Sequence, residues 1–169
     1  MAERRAEEVL VCVVSDTHVP SRARGLPAAL LSGLRGAALI LHAGDLTVLS
    51  VLDELGAIAP VHAVCGNVDA WEVYAVLPRE RIVEVAGKRI GLVHGDGPGG
   101  STLARARRAF AGAKVDAVVF GHSHSPYCAR EGSLLLFNPG SPTDKRREAR
   151  PSYGLLRVGE RIEGEIVYL

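Results

Sequence analysis

Residues 9–18 read Val-Leu-Val-Cys-Val-Val-Ser-Asp-Thr-His. The first six are apolar without interruption and rich in valine. That pattern predicts a strand at 9–14 covered on both faces, because a half-exposed strand would alternate with polar residues. The next four change character at once, and Asp16 and His18 stand directly beyond the strand's end. The same event recurs four times. His42-Ala43-Gly44-Asp45 follows the apolar run 37–41, and Gly66-Asn67-Val68-Asp69 follows 61–65. His94-Gly95-Asp96 follows 88–93, and Gly121-His122-Ser123-His124 follows 115–120. Ligands of open α/β sheets bind at the carboxyl ends of the strands, so five such ends along one edge converge on one site.

The segments between these ends set the fold class. Residues 26–35 read as a helix, with Pro27 in its first turn and Gly36 as its stop. Residues 47–56 read as another, with Thr47 as N-cap and Gly56 as the C′ residue. Residues 9–65 therefore read β-α-β-α-β, with parallel strands and right-handed crossovers. The second half is mostly β. Hairpins are predicted at 81–86/88–93 around Gly87-Lys88, at 126–131/133–137 around Glu131-Gly132, and at 153–158/161–168 around Gly159-Glu160. A basic helix at 100–111 and a buried strand at 115–120 complete the pattern. One parallel sheet does not accommodate this order, whereas two stacked sheets with helices outside do. No repeat, low-complexity tract or linker divides the chain, so residues 1–169 read as one domain, with the charged residues 1–8 flexible.

Composition removes several function classes. Of 169 residues, 47% are hydrophobic and 23% charged, which excludes a disordered chain. Twenty Lys plus Arg against 19 Asp plus Glu leave a formal charge of +1, a weak basis for binding nucleic acid or a membrane surface. Cys12, Cys65 and Cys128 form no CxxC pair, which speaks against a disulfide framework or a zinc ribbon and suits a reducing compartment. There is no signal-peptide pattern, and no run approaches the ~20 apolar residues of a membrane span. The expected location is the cytoplasm.

The strand-end residues have the chemistry of metal ligands. Asp16 and His18 are two apart, as are His122 and His124. In extended chain, residues i and i+2 point the same way, so each pair faces one centre or two adjacent centres. Imidazoles, carboxylates and one amide suit Mn, Fe, Zn or Ni rather than Ca or Cu(I). Asp16, His18, Asp45, Asn67, His94, His122 and His124 are too many ligands for one tetrahedral zinc. They match two metals about 3.5–4 Å apart sharing a carboxylate, a recurring arrangement in phosphate-ester hydrolysis.

The ordered set SDTH, HAGD, GNVD, VHGD and GHSH resembles the calcineurin-like metallophosphoesterase superfamily. Small size and Asn138-Pro139-Gly140-Ser141 make it similar to the compact bacterial and archaeal phosphodiesterase branch, to which the retromer subunit of the same fold is related. The resemblance implies a four-layer αββα sandwich, two mixed sheets face to face with helices outside. It implies that Asp16, His18 and His124 hold one divalent metal, that Asn67, His94 and His122 hold a second, and that Asp45 bridges them. A hydroxide between the metals would attack phosphorus, with Asp45, Asn67 and His94 at the catalytic centre. Mn is the expected metal, with Fe, Ni and Zn as alternatives. The implied activity is hydrolysis of a small phosphodiester. The alternatives are a non-catalytic metal-binding scaffold for protein–protein interaction, and a nuclease. Family members are often dimers or larger, so a homo-oligomer is compatible with the resemblance. One position departs: Val68 stands where many members carry a histidine that serves the leaving group. Loss of a general acid costs roughly 10²–10⁴-fold.

The neighbouring residues admit plainer readings. His42 is supporting or structural rather than a ligand, and His62 is a packed or edge residue of its strand. Asp69 and Asp96 either orient an imidazole or stabilise a turn. Cys65 reads as a small buried hydrophobe, and Cys12 and Cys128 as structural. Residues 138–141 form a turn by composition, which the resemblance implies lies near the metal site in a supporting role, and residues 97–100 either shape the entrance or lead into the next helix. Arg22, Arg24, Arg105, Arg107, Arg108 and the basic run 145–150 are solvated surface or phosphate contacts. Trp71 and Tyr74 lie at a surface or subunit contact.

Overall fold

The computed structural model describes residues 7–169, so the expectation of flexibility for residues 1–8 lies outside the described residues as far as residue 6. Strand β1 (Val9–Val14) pairs in parallel with β2 (Leu39–His42), and β2 with β3 (Val61–Ala63). Two antiparallel strands, β9 (Ser152–Val158) and β10 (Ile162–Tyr168), complete this sheet in the order β10-β9-β1-β2-β3. The second sheet runs β4-β5-β6-β8-β7. It comprises β4 (Glu80–Val85), β5 (Lys88–Val93), β6 (Ala117–Val119), β7 (Tyr127–Glu131) and β8 (Leu134–Asn138). Here β5, β6 and β8 are parallel, and each outer strand is antiparallel to its neighbour.

The apolar runs are continuous because each central strand is covered twice. Val11 and Val13 of β1, Leu39 and Leu41 of β2, and Leu156 and Val158 of β9 face Ile90, Leu92, Ala117, Val119, Leu135 and Phe137 of the other sheet. The alternate residues Cys12, Val14 and Ile40 pack outward under the helices α1 (Ala28–Gly33), α2 (Ser50–Gly56) and α3 (Trp71–Val76). On the far side Val118 and Leu136 pack under α4 (Thr102–Ala109), whose Ala106 is wholly buried. The result is the expected αββα order of layers.

Local boundaries differ from the sequence reading for identifiable reasons. Thr47 is not an N-cap: its φ is 82°, it pairs with Val19 in an isolated bridge, and α2 begins at Ser50 without a side-chain cap. Gly56 is the last helical residue rather than C′, and Ala57 caps the helix. The helix at 26–35 is shorter than expected, with Pro27 at the cap position. Helix α3 was not anticipated, because its six residues carry too little periodicity to register. The hairpin turn after β4 uses Ala86 and Gly87, both with positive φ (48° and 76°). The next hairpin turns at Gly132-Ser133, one residue later than expected. No helix of the described residues is long and apolar enough to cross a membrane.

Candidate metal centre

The carboxyl ends of the parallel strands of both sheets meet at one edge, where backbone hydrogen bonds lace their loops together. Asp16 N–H donates to the Gly44 carbonyl at 3.0 Å, His18 N–H to Asp45 at 3.1 Å, and Gly121 N–H to His94 at 3.0 Å. The two sheets are joined by His122 N–H, which donates to Asp16 Oδ2 at 3.0 Å. All seven residues singled out in sequence arrive here. Asp16, His18 and His124 form one group, and Asp45, His94 and His122 another, each with one potential ligand atom per residue within 4.8 Å of the others. Asn67 joins the second group, its Oδ1 at 3.1 Å from His94 Nε2 and 3.2 Å from His122 Nδ1. Asp45 Oδ2 lies between the groups, 3.1 Å from His94 Nε2 and 3.8 Å from His18 Nε2.

Neither i, i+2 pair uses extended chain. Asp16 (φ 56°), His18 (45°), Asp45 (56°), His122 (68°) and His124 (60°) are all left-handed, a conformation that non-glycine residues adopt at a cost. The turns send Asp16 and His18 to one group but split His122 from His124. Glycines supply the remaining room. A Cβ on Gly121 would collide with Ser15 Oγ and Asp16 Oδ2, and one on Gly66 with the Asp45 carboxylate.

The polar atoms fit cations rather than one another. Asp16 Oδ2 accepts from Ser15 Oγ at 2.7 Å and from the His122 amide, whereas the buried Oδ1 has no hydrogen-bond partner. Around Oδ1 stand His124 Nε2 at 3.5 Å and the Nε2 atoms of His18 and His94, each at 3.8 Å. His124 Nδ1–H donates to the Asp144 carbonyl at 2.6 Å and His94 Nδ1–H to Ala43 at 2.7 Å, so Nε2 of each faces the centre. His18 Nε2 and His124 Nε2 are 3.2 Å apart. Imidazole nitrogens and carboxylate oxygens thus converge on one space.

Charge at the centre follows from the same contacts. Burial opposes ionisation of Asp16. The neighbouring imidazoles of His18, His94 and His124 and the Ser15 hydrogen bond outweigh it and lower its pKa to about 2. Burial likewise opposes protonation of His94, but the Asp45 hydrogen bond and the charges of Asp16 and Asp45 raise its pKa to about 9. A proton on His94 thus stands where a cation would, and a metal bound there would displace it. Burial holds His122 and His124 below their ordinary value, in the neutral form that ligates.

The surrounding residues sort plainly. His42 is fully buried, accepts from Gly44 N–H on Nδ1 (3.2 Å) and donates from Nε2 to Thr17 Oγ1 (3.1 Å), bracing the two adjacent loops. Asp69 accepts from the amides of Asp45, Thr47 and Gly66, the turn-stabilising reading of the two. Asp96 pairs instead with Arg79 at 3.6 Å and orients no imidazole. Val68 donates its N–H to Asp45 Oδ1 at 3.0 Å, and its side chain is half exposed. His62 sits on edge strand β3. All three cysteines are free; Cys12 and Cys65 are buried, while Cys128 is exposed, with its Sγ 3.7 Å from the Gly164 carbonyl. The sequence reading missed the reach of residues 138–144. Asn138 Nδ2 donates to the Gly121 carbonyl, Ser141 Oγ to Asp16 and Thr143 Oγ1 to Thr17, at 3.0, 2.8 and 2.7 Å. The Asn-Pro-Gly-Ser turn was the visible signal, but nothing in it named its partners.

Comparison with known proteins agrees with this geometry. Residues 9–161 match the calcineurin-like phosphoesterase superfamily domain. A probable metallophosphoesterase of Methanothermobacter thermautotrophicus is 41% identical over 164 residues, covering 94% of this chain and 92% of the relative. Another, from Methanocaldococcus jannaschii, is 38% identical over 161 residues, covering 94% of this chain and 81% of the relative. Among solved structures, Entamoeba histolytica Vps29 complexed with zinc superposes with a TM-score of 0.74 at 27% identity, over 95% of this chain and 99% of that one.

Proposed function

Since the chain belongs to the calcineurin-like phosphoesterase superfamily, whose members typically bind divalent metals, we propose that it is a dinuclear phosphodiesterase acting on small activated diesters in the cytoplasm. The observation that carries this reading is Asp16 Oδ1, buried without a donor among three imidazole nitrogens. Asp16, His18 and His124 would hold one cation, and Asn67, His94 and His122 the second. Asp45, with Oδ2 between the groups, would bridge them. The absence of a thiolate favours Mn, with Fe, Ni and Zn compatible. Bound there, such cations supply Lewis acidity and a water acidic enough to attack near neutral pH. The chain's own contribution is orientation. Ser15 and the His122 amide hold Asp16, the Val68 amide holds Asp45, and carbonyls of Ala43 and Asp144 fix the tautomers of His94 and His124. Val68 offers no proton to a leaving group, which favours esters whose alcohol leaves readily as an anion.

The test is hydrolysis of a chromogenic phosphodiester beside its monoester, on chelator-stripped protein refilled with Mn²⁺, with Asp45→Asn in parallel. Diester turnover restored by Mn²⁺ and absent from the variant is expected. Monoester preference would mean that another group protonates the leaving oxygen. The likeness to Vps29 supports a second reading, a metal-binding scaffold for another protein. Two bound metals per chain without turnover of either ester would favour it.

A further inference from the structure

One cation at the rim of the centre has no structural task in proportion to its placement. Arg146 lies between β8 and β9, in a loop held against the centre. Ser141 Oγ donates to the Asp16 carbonyl, Asp144 N–H donates to Ser141 Oγ at 2.9 Å, and the Asp144 carbonyl accepts from His124 Nδ1. Two residues on, Arg146 turns left-handed (φ 48°) and its Nη1 donates to the His122 carbonyl at 3.3 Å. It therefore touches the backbone of His122 of one ligand group and is close in sequence to the residue that orients His124 of the other.

Three other arginines are engaged. Arg22 faces Asp144 at 3.8 Å and Arg79 faces Asp96. Arg105 binds the carbonyls of Gly95 and Gly100 and the Thr102 hydroxyl. Arg146 is exposed and, among the described residues, forms no ion pair. A guanidinium has five N–H donors, so one bond to a carbonyl leaves a fork matched to two oxygens of a phosphoryl group.

We propose that Arg146 binds the phosphoryl oxygens of the substrate, a contact that rests on the dinuclear reading above. An arginine does not lose its proton, so it supplies charge and geometry where Val68 supplies neither, and it protonates nothing. In hydrolysis a bond forms from water oxygen to phosphorus while the bond from phosphorus to the leaving oxygen breaks. The leaving oxygen keeps that electron pair and departs as an anion, and the water's proton passes to solvent. The substrate class is thereby narrowed to diesters of acidic alcohols, such as aryl esters.

The experiment measures inorganic phosphate affinity by calorimetry and metal content by mass spectrometry on Mn-loaded wild type, Arg146→Ala and Arg146→Lys. It adds turnover of aryl phosphodiesters of graded leaving-group pKa. Loss of a charge-assisted bond predicts phosphate affinity weaker by roughly 10–100-fold in Arg146→Ala, with metal content unchanged and partial recovery in Arg146→Lys. Turnover should fall by a common factor across the series, leaving its slope on leaving-group pKa as in wild type. Phosphate affinity within two-fold of wild type would overturn the assignment, as would a drop in metal content, which would make Arg146 a brace for His122. A changed slope would move its contact from the phosphoryl oxygens to the leaving oxygen and overturn it too. Phosphate binding that depends on Arg146 in a protein that hydrolyses no diester would support the anion contact while refuting the phosphodiesterase reading.

Discussion

Asp16 shows how one residue is divided between fold and chemistry. One carboxylate oxygen is tied to Ser15 and the His122 amide, and the other is left facing the imidazoles. That division depends on Gly121, because any side chain there meets Ser15 and Asp16. Gly121→Ala is therefore expected to displace the carboxylate, cost about 1–3 kcal/mol of stability, and reduce bound metal below two per chain, read by denaturation and by metal analysis. His42 gives a pH-dependent counterpart. Burial lowers its pKa to about 4, so it is neutral in the folded protein and charged in the unfolded chain between that value and its ordinary 6.5. Its contribution is present above pH 6.5 and is lost as pH falls toward 4, on the order of 3 kcal/mol in all. Urea unfolding of metal-stripped protein should show that loss in wild type and a shallower one in His42→Gln.

At the scale of elements, the site is made by turns placed on rigid strand ends. Strands β1, β2 and β6 are largely buried and β3 and β5 partly so, and each gives way within a few residues to a loop with left-handed or glycine backbone. Helix α4 follows such a loop, and its start is secured by Ser101, whose Oγ accepts from Ala104 N–H at 3.1 Å. Ser101→Ala should cost about 1 kcal/mol by chemical denaturation. Metal content should not change, because no ligand lies on α4. The unforeseen α3 and the misread Thr47 belong together. The Asp69 carboxylate accepts from the Thr47 amide, and Ala70 N–H donates to the Thr47 carbonyl, so this segment is shaped by contacts between residues more than twenty positions apart.

Across the whole molecule, the two sheets must stay in register for the centre to exist, since Asp16, His18, Asp45 and Asn67 come from one and His94, His122 and His124 from the other. Phe137 is the largest wholly buried side chain between them, and its ring fills the space above Gly154 and Gly164, where a Cβ would strike it. Phe137→Ala is expected to cost about 3–5 kcal/mol and to weaken metal binding with it, tested by paired denaturation and metal titration. Conversely, metal bound only by the folded chain would stabilise it, so chelation should lower the melting temperature of wild type and lower that of Asp16→Asn, which keeps the Asp45, Asn67, His94 and His122 group, by less.

The sequence by itself determined the layered fold and the membership of the centre. Continuous apolar runs mean strands covered twice, and carboxylates and imidazoles placed after five such runs are demanded by no packing rule. What residue spacing alone did not contain was the partition of those residues, which only the family resemblance implied. The i, i+2 spacing of His122 and His124 suited one centre or two, and the answer came from positive φ angles imposed by neighbouring loops. The supports were hidden for the same reason. Ser141 reaches Asp16 across 125 positions and His122 reaches it across 106, and such hydrogen bonds have no local signature in the chain. Residue type and strand periodicity are local properties, legible along the chain. Which donor meets which acceptor is decided only when the two sheets close on each other.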